Sequence, residues 1–539
     1  MAPPLTPAAI RPLPPATALA RRAGRAGLAA TAVSIACTLA VAAAGPSLME
    51  PSLPGAAGQP PWALDLRAGP YLTVGLAAAG LAAGTLGMAL TLRAMRLGWT
   101  VRPRHVLLAG AIAAVLAGTT RPFGTSDFLS YAAYGRELVT GYDPYLVAPR
   151  ALARLGDPVA RAAGDWAGTP SVYGALATGV FAVASLVGGT SARLTVFVLD
   201  ALNVSAFIGT GVLLDRLARR PAGRLRAAVL WTCNPLLLQI LVAGSHVDGL
   251  AVALGIGGLA VFAPMIPNGP FDDSPRPAPF RAPSLPRRCA LRGALAGLLL
   301  GLGFAVKPTI VLVGLGLAIA AVSAFPRSRN LPAAAGLTAG FGAAAVADVA
   351  LIGRAGIAQT MRASGMVSVG SPWRAVRTVL DVLVGASAAD DVVRWCAVVL
   401  ALFLAARLLR LLRLSAGRTM GWAAFALVLA WLLAWPYVLP WYDTLAWALL
   451  PLVPASGLDW LLLARTAALG FGYLPARAAG IAIPGGLRWM EPVLRSVLVP
   501  VVLTVLLVVV LRWAARSGRP AGTAGPAARL MGSDSTSSV

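Results

Sequence analysis

Charge is scarce in this 539-residue chain, with Asp, Glu, Lys and Arg making up only 12% of it. A soluble domain carries roughly 25%, so an ordinary water-soluble globule is excluded. Histidine occurs twice, at His105 and His246. Cysteine occurs four times, at Cys37, Cys233, Cys289 and Cys396, without C-x-x-C spacing. Neither a zinc site nor a disulfide framework is therefore indicated. No carboxylate cluster has metal-ligand spacing, so neither a metal nor any other cofactor is expected. A P-loop, a G-x-G-x-x-G followed by an acidic residue and an H-E-x-x-H are all missing, which disfavours a nucleotide-driven pump and an embedded metalloprotease.

What the chain has instead is hydrophobicity: 58% of its residues are apolar and its mean hydropathy is +0.76. Apolar runs of about 17–25 residues, the length that crosses a bilayer core as a helix, recur from end to end. They do not alternate apolar with polar, which rejects a membrane β-barrel. The composition implies an all-α, polytopic integral membrane protein with roughly 13–15 transmembrane helices, some short enough to be half-helices. Residues 27–514 form its multi-spanning domain, between an N-terminal tail, 1–26, and a Gly/Ala/Ser-rich tail, 515–539, expected to be disordered. The first apolar run, 27–44, ends in small residues that mimic a signal-peptidase site. Its long polar lead-in and the many later spans favour a retained first helix.

A net charge of +25 suggests nucleic acid in a soluble protein. Here the arginines flank apolar runs, at Arg21–Arg25, Arg93–Arg104, Arg216–Arg226 and Arg407–Arg413, as cytoplasmic loops do. No nucleic-acid partner is expected; the bilayer is. The rule puts the N-terminus, the 93–104 loop and the Pro-rich loop 264–289 inside, and segment 119–169 outside. It also creates a tension. Two full crossings between 170 and 213 would leave the five arginines of 216–226 outside, so either one segment does not cross or the rule fails there.

Segment 120–149 interrupts the apolar chain with two aspartates, a glutamate, two arginines and four tyrosines, and chemistry is expected in it. If Ser126–Gly135 is helical, Asp127, Tyr131 and Tyr134 fall on one face, and a short amphipathic helix at the outer membrane surface aims a carboxylate and two phenols into one cleft. Asp127 can also be read as a helix N-cap. In Gly141-Tyr142-Asp143-Pro144-Tyr145, Asp143 and Tyr145 are candidate sugar contacts, although Asp143 before proline reads better as a turn former. Further along, Gly244-Ser245-His246-Val247-Asp248-Gly249 places two ionisable groups between apolar runs. They line a cavity or form an ordinary polar turn. Lys307-Pro308 either snorkels to the headgroups or presents an ammonium to a phosphate beside a helix break. In Trp435-Pro436-Tyr437-Val438-Leu439-Pro440-Trp441-Tyr442-Asp443, an interfacial aromatic girdle is sufficient explanation, with room for a share in a substrate groove. Glycine-rich stretches near 79–87 and 255–258 read as helix-packing surfaces.

One aspartate, aromatic walls and a nearby cation suit inverting glycosyl transfer from a lipid-phosphate sugar. The acceptor hydroxyl needs one general base, and the leaving phosphate needs charge stabilisation rather than a protonating acid. A hydrolytic glycosidase needs a pair of carboxylates. Aromatic rings pack on a sugar's C–H surface.

The ordered set of S-D-F-L-S-Y, G-Y-D-P-Y, T-P-S-V-Y-G-A-L (169–176, including Tyr173), N-P-L-L-L-Q, G-S-H-V-D-G-L, V-K-P and P-W-Y-D-T-L-A-W resembles the glycosyltransferase-C superfamily. Within it the set resembles the actinobacterial polyprenol-phosphate-mannose-dependent α-1,6-mannosyltransferases, over roughly residues 100–450. The resemblance implies Asp127 as catalytic base; Tyr131, Tyr134, Tyr173, His246, Asp248, Lys307, Trp441 and Tyr442, within the motifs above, are the further candidate substrate contacts. It also implies a mannosyl-phosphoryl-polyprenol donor, a lipid-anchored glycan acceptor, and an active site on the outer side of the plasma membrane. A secondary transporter or lipid-linked sugar flippase is the alternative: helix breaks at Asn234-Pro235 and Lys307-Pro308 suit one, but it should gather its polar groups at mid-bilayer. A scaffold for cell-wall assembly is a third reading, and predicts no sugar transfer.

Overall fold

The computed structural model describes residues 17–265, 286–324, 327–412, 419–476 and 482–517. Most of the N-terminal tail, most of the Pro-rich loop, the end of the Arg407–Arg418 stretch and nearly all of the C-terminal tail lie outside the described residues. Among the described residues there is no strand, only an isolated bridge between Trp62 and Thr120. Seven helices among the described residues are long and apolar enough to cross a membrane, and five shorter apolar helices accompany them. The all-α polytopic reading holds.

The chain opens with α1 (Ala18–Ala44), α2 (Pro70–Arg96) and α3 (Pro103–Thr119). Proline starts α2 and α3, where its missing N–H costs no hydrogen bond. Arg93 and Arg96 close α2, where cations complement the helix dipole. Helices α1 and α2 meet backbone to backbone: a Cβ on Gly87 would lie 2.8 Å from the Thr31 amide nitrogen. Small residues allow that approach in a membrane, where apolar side chains gain little by leaving lipid. Next come α4 (Asp127–Val139), α5 (Ala175–Gly188), α6 (Ala192–Leu217) and α7 (Pro221–Val242). Helix α7 is interrupted at Asn234, whose Oδ1 accepts from the Leu236 and Leu237 amides while its Nδ2 donates to the Leu230 carbonyl. The side chain thus satisfies backbone groups that proline sets free in an apolar surround. Then follow α8 (Asp248–Phe262), α9 (Pro286–Phe304), α10 (Val311–Ala324) and α11 (Leu331–Ser364). A Cβ on Gly258 of α8 would meet the Ala296 carbonyl of α9 at 2.9 Å, so both glycine stretches pack helices, as expected. Helix α12 (Trp373–Val384), α13 (Ala386–Leu412), α14 (Thr419–Ala434), α15 (Thr444–Leu449), α16 (Gly457–Gly472) and α17 (Val499–Ser517) complete the body.

Two opposite faces of this body are identified by their contacts. On one, Arg96 and Arg226 share the carboxylate of Asp459, at 3.2 and 2.7 Å. On the other, the Phe123 amide donates to the Ala243 carbonyl and the Gly124 amide to that of Met49. Helix α5 resolves the tension over the five arginines. Its first amide, that of Ala175, donates to Asp348 beside the second face, and past its far end Ser191 bonds Gln59 of the loop between α1 and α2, on that same face. Fourteen residues reach only about 21 Å, against a hydrocarbon core of about 30 Å. Helix α5 therefore falls short of that thickness. Helix α6 is long and apolar enough to cross, and the segment after it brings Arg226 to the face that holds Arg96.

Helix α4 forms where expected but is wedged rather than laid on a surface. Phe128, Leu129, Tyr131, Ala132 and Tyr134 are buried, and a Cβ on Gly135 would sit 2.1 Å from the Phe181 carbonyl of α5. The exposed amphipathic helix is α12, in a stretch where hydropathy assigns nothing; Arg377 ties it to Asp390 of α13. None of its residues is buried, and Val382 is 85% exposed.

Candidate active site

Asp127 is the first residue of α4 rather than its cap. Its amide donates to Thr125 Oγ1 at 3.1 Å, and its Oδ1 accepts from Trp166 Nε1 at 3.0 Å. Oδ2 lies 3.6 Å from His246 Nδ1, and the side chain keeps 13% exposure. A carboxylate engaged by an indole far along the chain is not serving as the cap of its own helix. Burial pushes its pKa up to about 6, while the Trp166 hydrogen bond and the charge of Lys307 pull it back. It is ionised near neutrality, yet within reach of a proton.

Asp127 looks into a cleft of about 380 Å³. Tyr131 and Tyr134 reach it from α4, joined by Tyr173, Lys307, Trp441 and Tyr442. The tyrosine hydroxyls are tied within the protein: Tyr134 donates to the Thr169 carbonyl at 2.9 Å and Tyr173 to the Tyr131 oxygen at 3.3 Å. The Tyr131 ring stacks on Phe181 with centroids 4.9 Å apart. Burial raises the Tyr131 and Tyr173 phenols well above their ordinary range, so they stay neutral. The cleft thus offers fixed aromatic walls and one ionised carboxylate.

Lys307 stands where helix α9 has ended and Pro308 opens a new turn, in extended conformation. Its Nζ bonds both oxygens of Asp248, at 2.8 and 2.9 Å, and lies 4.5 Å from the Tyr442 ring centroid. That geometry replaces snorkelling: the ammonium is held at the cleft. Asp248 therefore acts as the partner of Lys307 and does not line the cleft. His246 stacks on Trp441 with centroids 3.7 Å apart and backs the site, lining a small cavity of about 40 Å³. Burial, with the Lys307 charge, lowers its pKa and keeps the ring neutral.

Two further candidates, Asp143 and Tyr145, do not reach the cleft. Asp143 Oδ1 accepts from the Tyr145 amide at 2.8 Å, closing a turn, which is the turn-former reading. Tyr145 bonds Thr178 Oγ1 at 2.9 Å behind α4. Asp443 is also withdrawn from any groove: it is sealed against Arg465 and accepts from Thr466 at 2.7 Å. The cleft includes groups the sequence reading does not single out, among them Trp166, Gln359 and Arg362. Trp166 carries a weak signal as an aromatic beside an acid, Asp165, inside segment 119–169. Gln359 and Arg362 carry none, because they sit on an extension of α11 past its apolar part. Lys307 has a signal of another kind, being the only lysine in the sequence. Among the described residues no group of three or more His, Cys, Asp or Glu is placed to hold a metal ion.

Comparison with known proteins adds a family. The family model described as alpha-(1->6)-mannopyranosyltransferase, N-terminal domain, matches residues 25–324. The chain is 30% identical over 163 residues to a Mycolicibacterium smegmatis protein named as a probable alpha-(1->6)-mannopyranosyltransferase. The matched stretch covers 29% of this chain and 27% of that protein. No solved structure gives a significant match.

Proposed function

The chain belongs to the alpha-(1->6)-mannopyranosyltransferase family, and on that premise we propose that it is a membrane mannosyltransferase with Asp127 as general base. The donor is polyprenol-phosphate-mannose and the acceptor a lipid-linked mannan or related cell-envelope glycan, extended through an α-1,6 linkage. The enzyme sits in the plasma membrane with its cleft on the extracytoplasmic side, opposite the face where Arg96 and Arg226 meet Asp459.

The observation that carries this reading is the placement of Asp127. Its carboxylate, held by Trp166, shares one cleft with Lys307. In the step proposed, the acceptor hydroxyl attacks the anomeric carbon from the side opposite the phosphate, inverting it. The new C–O bond forms as the bond to phosphate breaks, the hydroxyl proton passes to Asp127, and polyprenol phosphate departs as an anion. Lys307 stabilises the charge growing on that phosphate. The leaving group is a weak base, so no second carboxylate has to protonate it. The apolar far wall, with Leu312 and Trp431 from the apolar helices α10 and α14 and Trp435 just past α14, suits a polyprenyl chain.

A transporter or flippase finds less support, since Asp127 and Lys307 stand at helix starts and breaks rather than inside a long apolar span. The test incubates membranes with radiolabelled mannosyl-phosphoryl-polyprenol, with and without the protein. Asp127→Asn lowers transfer by roughly 10²–10⁴-fold at an unchanged protein level. Transfer at the wild-type rate in that variant overturns the assignment of the base.

A further inference from the structure

A second cavity, of about 290 Å³, lies against the first. The two share Trp166, Met366, Tyr437 and Leu439 as a common wall. Lys307 and the apolar Leu312 and Trp431 line only the first. The second has another character. Asp165, Ser368, Tyr473 and Arg495 face it together with the shared Trp166 and Tyr437. Arg495 is fixed there by the carbonyls of Gly472 and Tyr473, at 2.7 and 3.1 Å, with its guanidinium 4.8 Å from the Tyr473 ring centroid. Aromatic faces beside a carboxylate and a planar cation are what a carbohydrate needs: rings for its C–H surface and polar groups for its hydroxyls. The volume is at the small end of the ~300–1,000 Å³ of ligand pockets, enough for a terminal sugar rather than a long chain.

The reaction geometry connects the two chambers. Inversion requires the acceptor oxygen to approach the anomeric carbon from the side opposite the phosphate. With the phosphate beside Lys307 in the first cavity, the acceptor must arrive past Asp127. The group that touches Asp127 there, Trp166 through its Nε1 at 3.0 Å, is also part of the shared wall. We propose that the second cavity is the acceptor-sugar site, taking the terminal mannoside, and that Trp166 forms the passage through which its hydroxyl reaches Asp127. This rests on the reading of Asp127 as base and of the first cavity as the donor site.

The test uses the full-length protein in membranes, with mannosyl-phosphoryl-polyprenol as donor and a synthetic alkyl α-mannoside as acceptor. Val367 lines only the second cavity, and Val367→Trp fills it. The expected result is a rise of roughly tenfold or more in KM for the α-mannoside with donor KM within about twofold of wild type. Asp165→Asn, a milder change, gives a smaller rise with the same selectivity and serves if the tryptophan variant does not accumulate. Unchanged acceptor KM in both variants, or a rise in donor KM instead, overturns the proposal. Binding of the α-mannoside to Asp127→Asn, followed by tryptophan fluorescence, separates the two readings. Binding retained by Asp127→Asn and lost on adding Val367→Trp supports the cavity whatever the role of the base, and binding that survives both changes refutes it.

Discussion

Two acid–base pairs, Asp248–Lys307 and Asp443–Arg465, hold neighbouring walls around the cleft, and they differ in what they can still do. Lys307 keeps 13% exposure and opens onto the cleft, with its charge over the Tyr442 ring. Arg465 and Asp443 are 1% and 0% exposed. Arg465 also donates to the Leu432 carbonyl, and Thr466, which donates to Asp443, accepts in turn from Trp447. A pair with an open side can exchange part of its partner's charge for a substrate phosphate. A sealed pair can only fix the turn that carries Trp441 and Tyr442. Like residue types in like surroundings thus divide into a chemical and an architectural role, and the difference is access.

The comparison is sharpened most strongly by Lys307→Met. Transfer should fall ~10²–10³-fold while the amount of protein in membranes stays near wild type, and loss of the protein itself would make this pair architectural too. Arg465→Met leaves Asp443 buried without its cation, a cost of about 3–5 kcal/mol, read as loss of folded protein or a lower melting temperature in detergent. Replacing both partners, Asp443→Leu with Arg465→Met, should restore most of that stability, because an apolar pair of similar volume needs no desolvation. The corresponding double change at Asp248 and Lys307 should not restore transfer.

A smaller effect comes from pH. With the Asp127 pKa raised to about 6 by burial, the base is ionised above that value and protonated below it. The rate should fall as pH drops through about 6, ~tenfold per unit beyond it, measured as kcat/KM against pH. A flat profile down to pH 5 would contradict the role of Asp127. The smallest effect is expected at Asp143→Asn, which keeps an oxygen for the Tyr145 amide and touches no cleft. Transfer should stay within about threefold of wild type, and a larger loss would bring that turn into the site.

Much of the site was legible because lipid leaves few places for charge. In an apolar chain Asp127, His246, Asp248 and Lys307 stand out, and each is found at or behind the cleft. Their roles were less legible. Asp127 and Asp143 occupy one polar stretch beside similar tyrosines, yet one faces the cleft and the other closes a turn. Trp166 gains its meaning from a contact 39 residues back along the chain, which no local pattern records. Helix α5 is apolar enough to be counted as a crossing, and only its contacts with Asp348 and with the loop beyond α1 show that both its ends share a face.

The sequence by itself determined the solvent, the helical class and the short list of residues able to carry charge, since composition and run length decide what a bilayer accepts. The tertiary structure alone decided which of those charges pair, which side chains share a cavity and which helix stops short of crossing. Those outcomes depend on contacts between segments far apart in the chain, and hydropathy and spacing hold no information about such contacts.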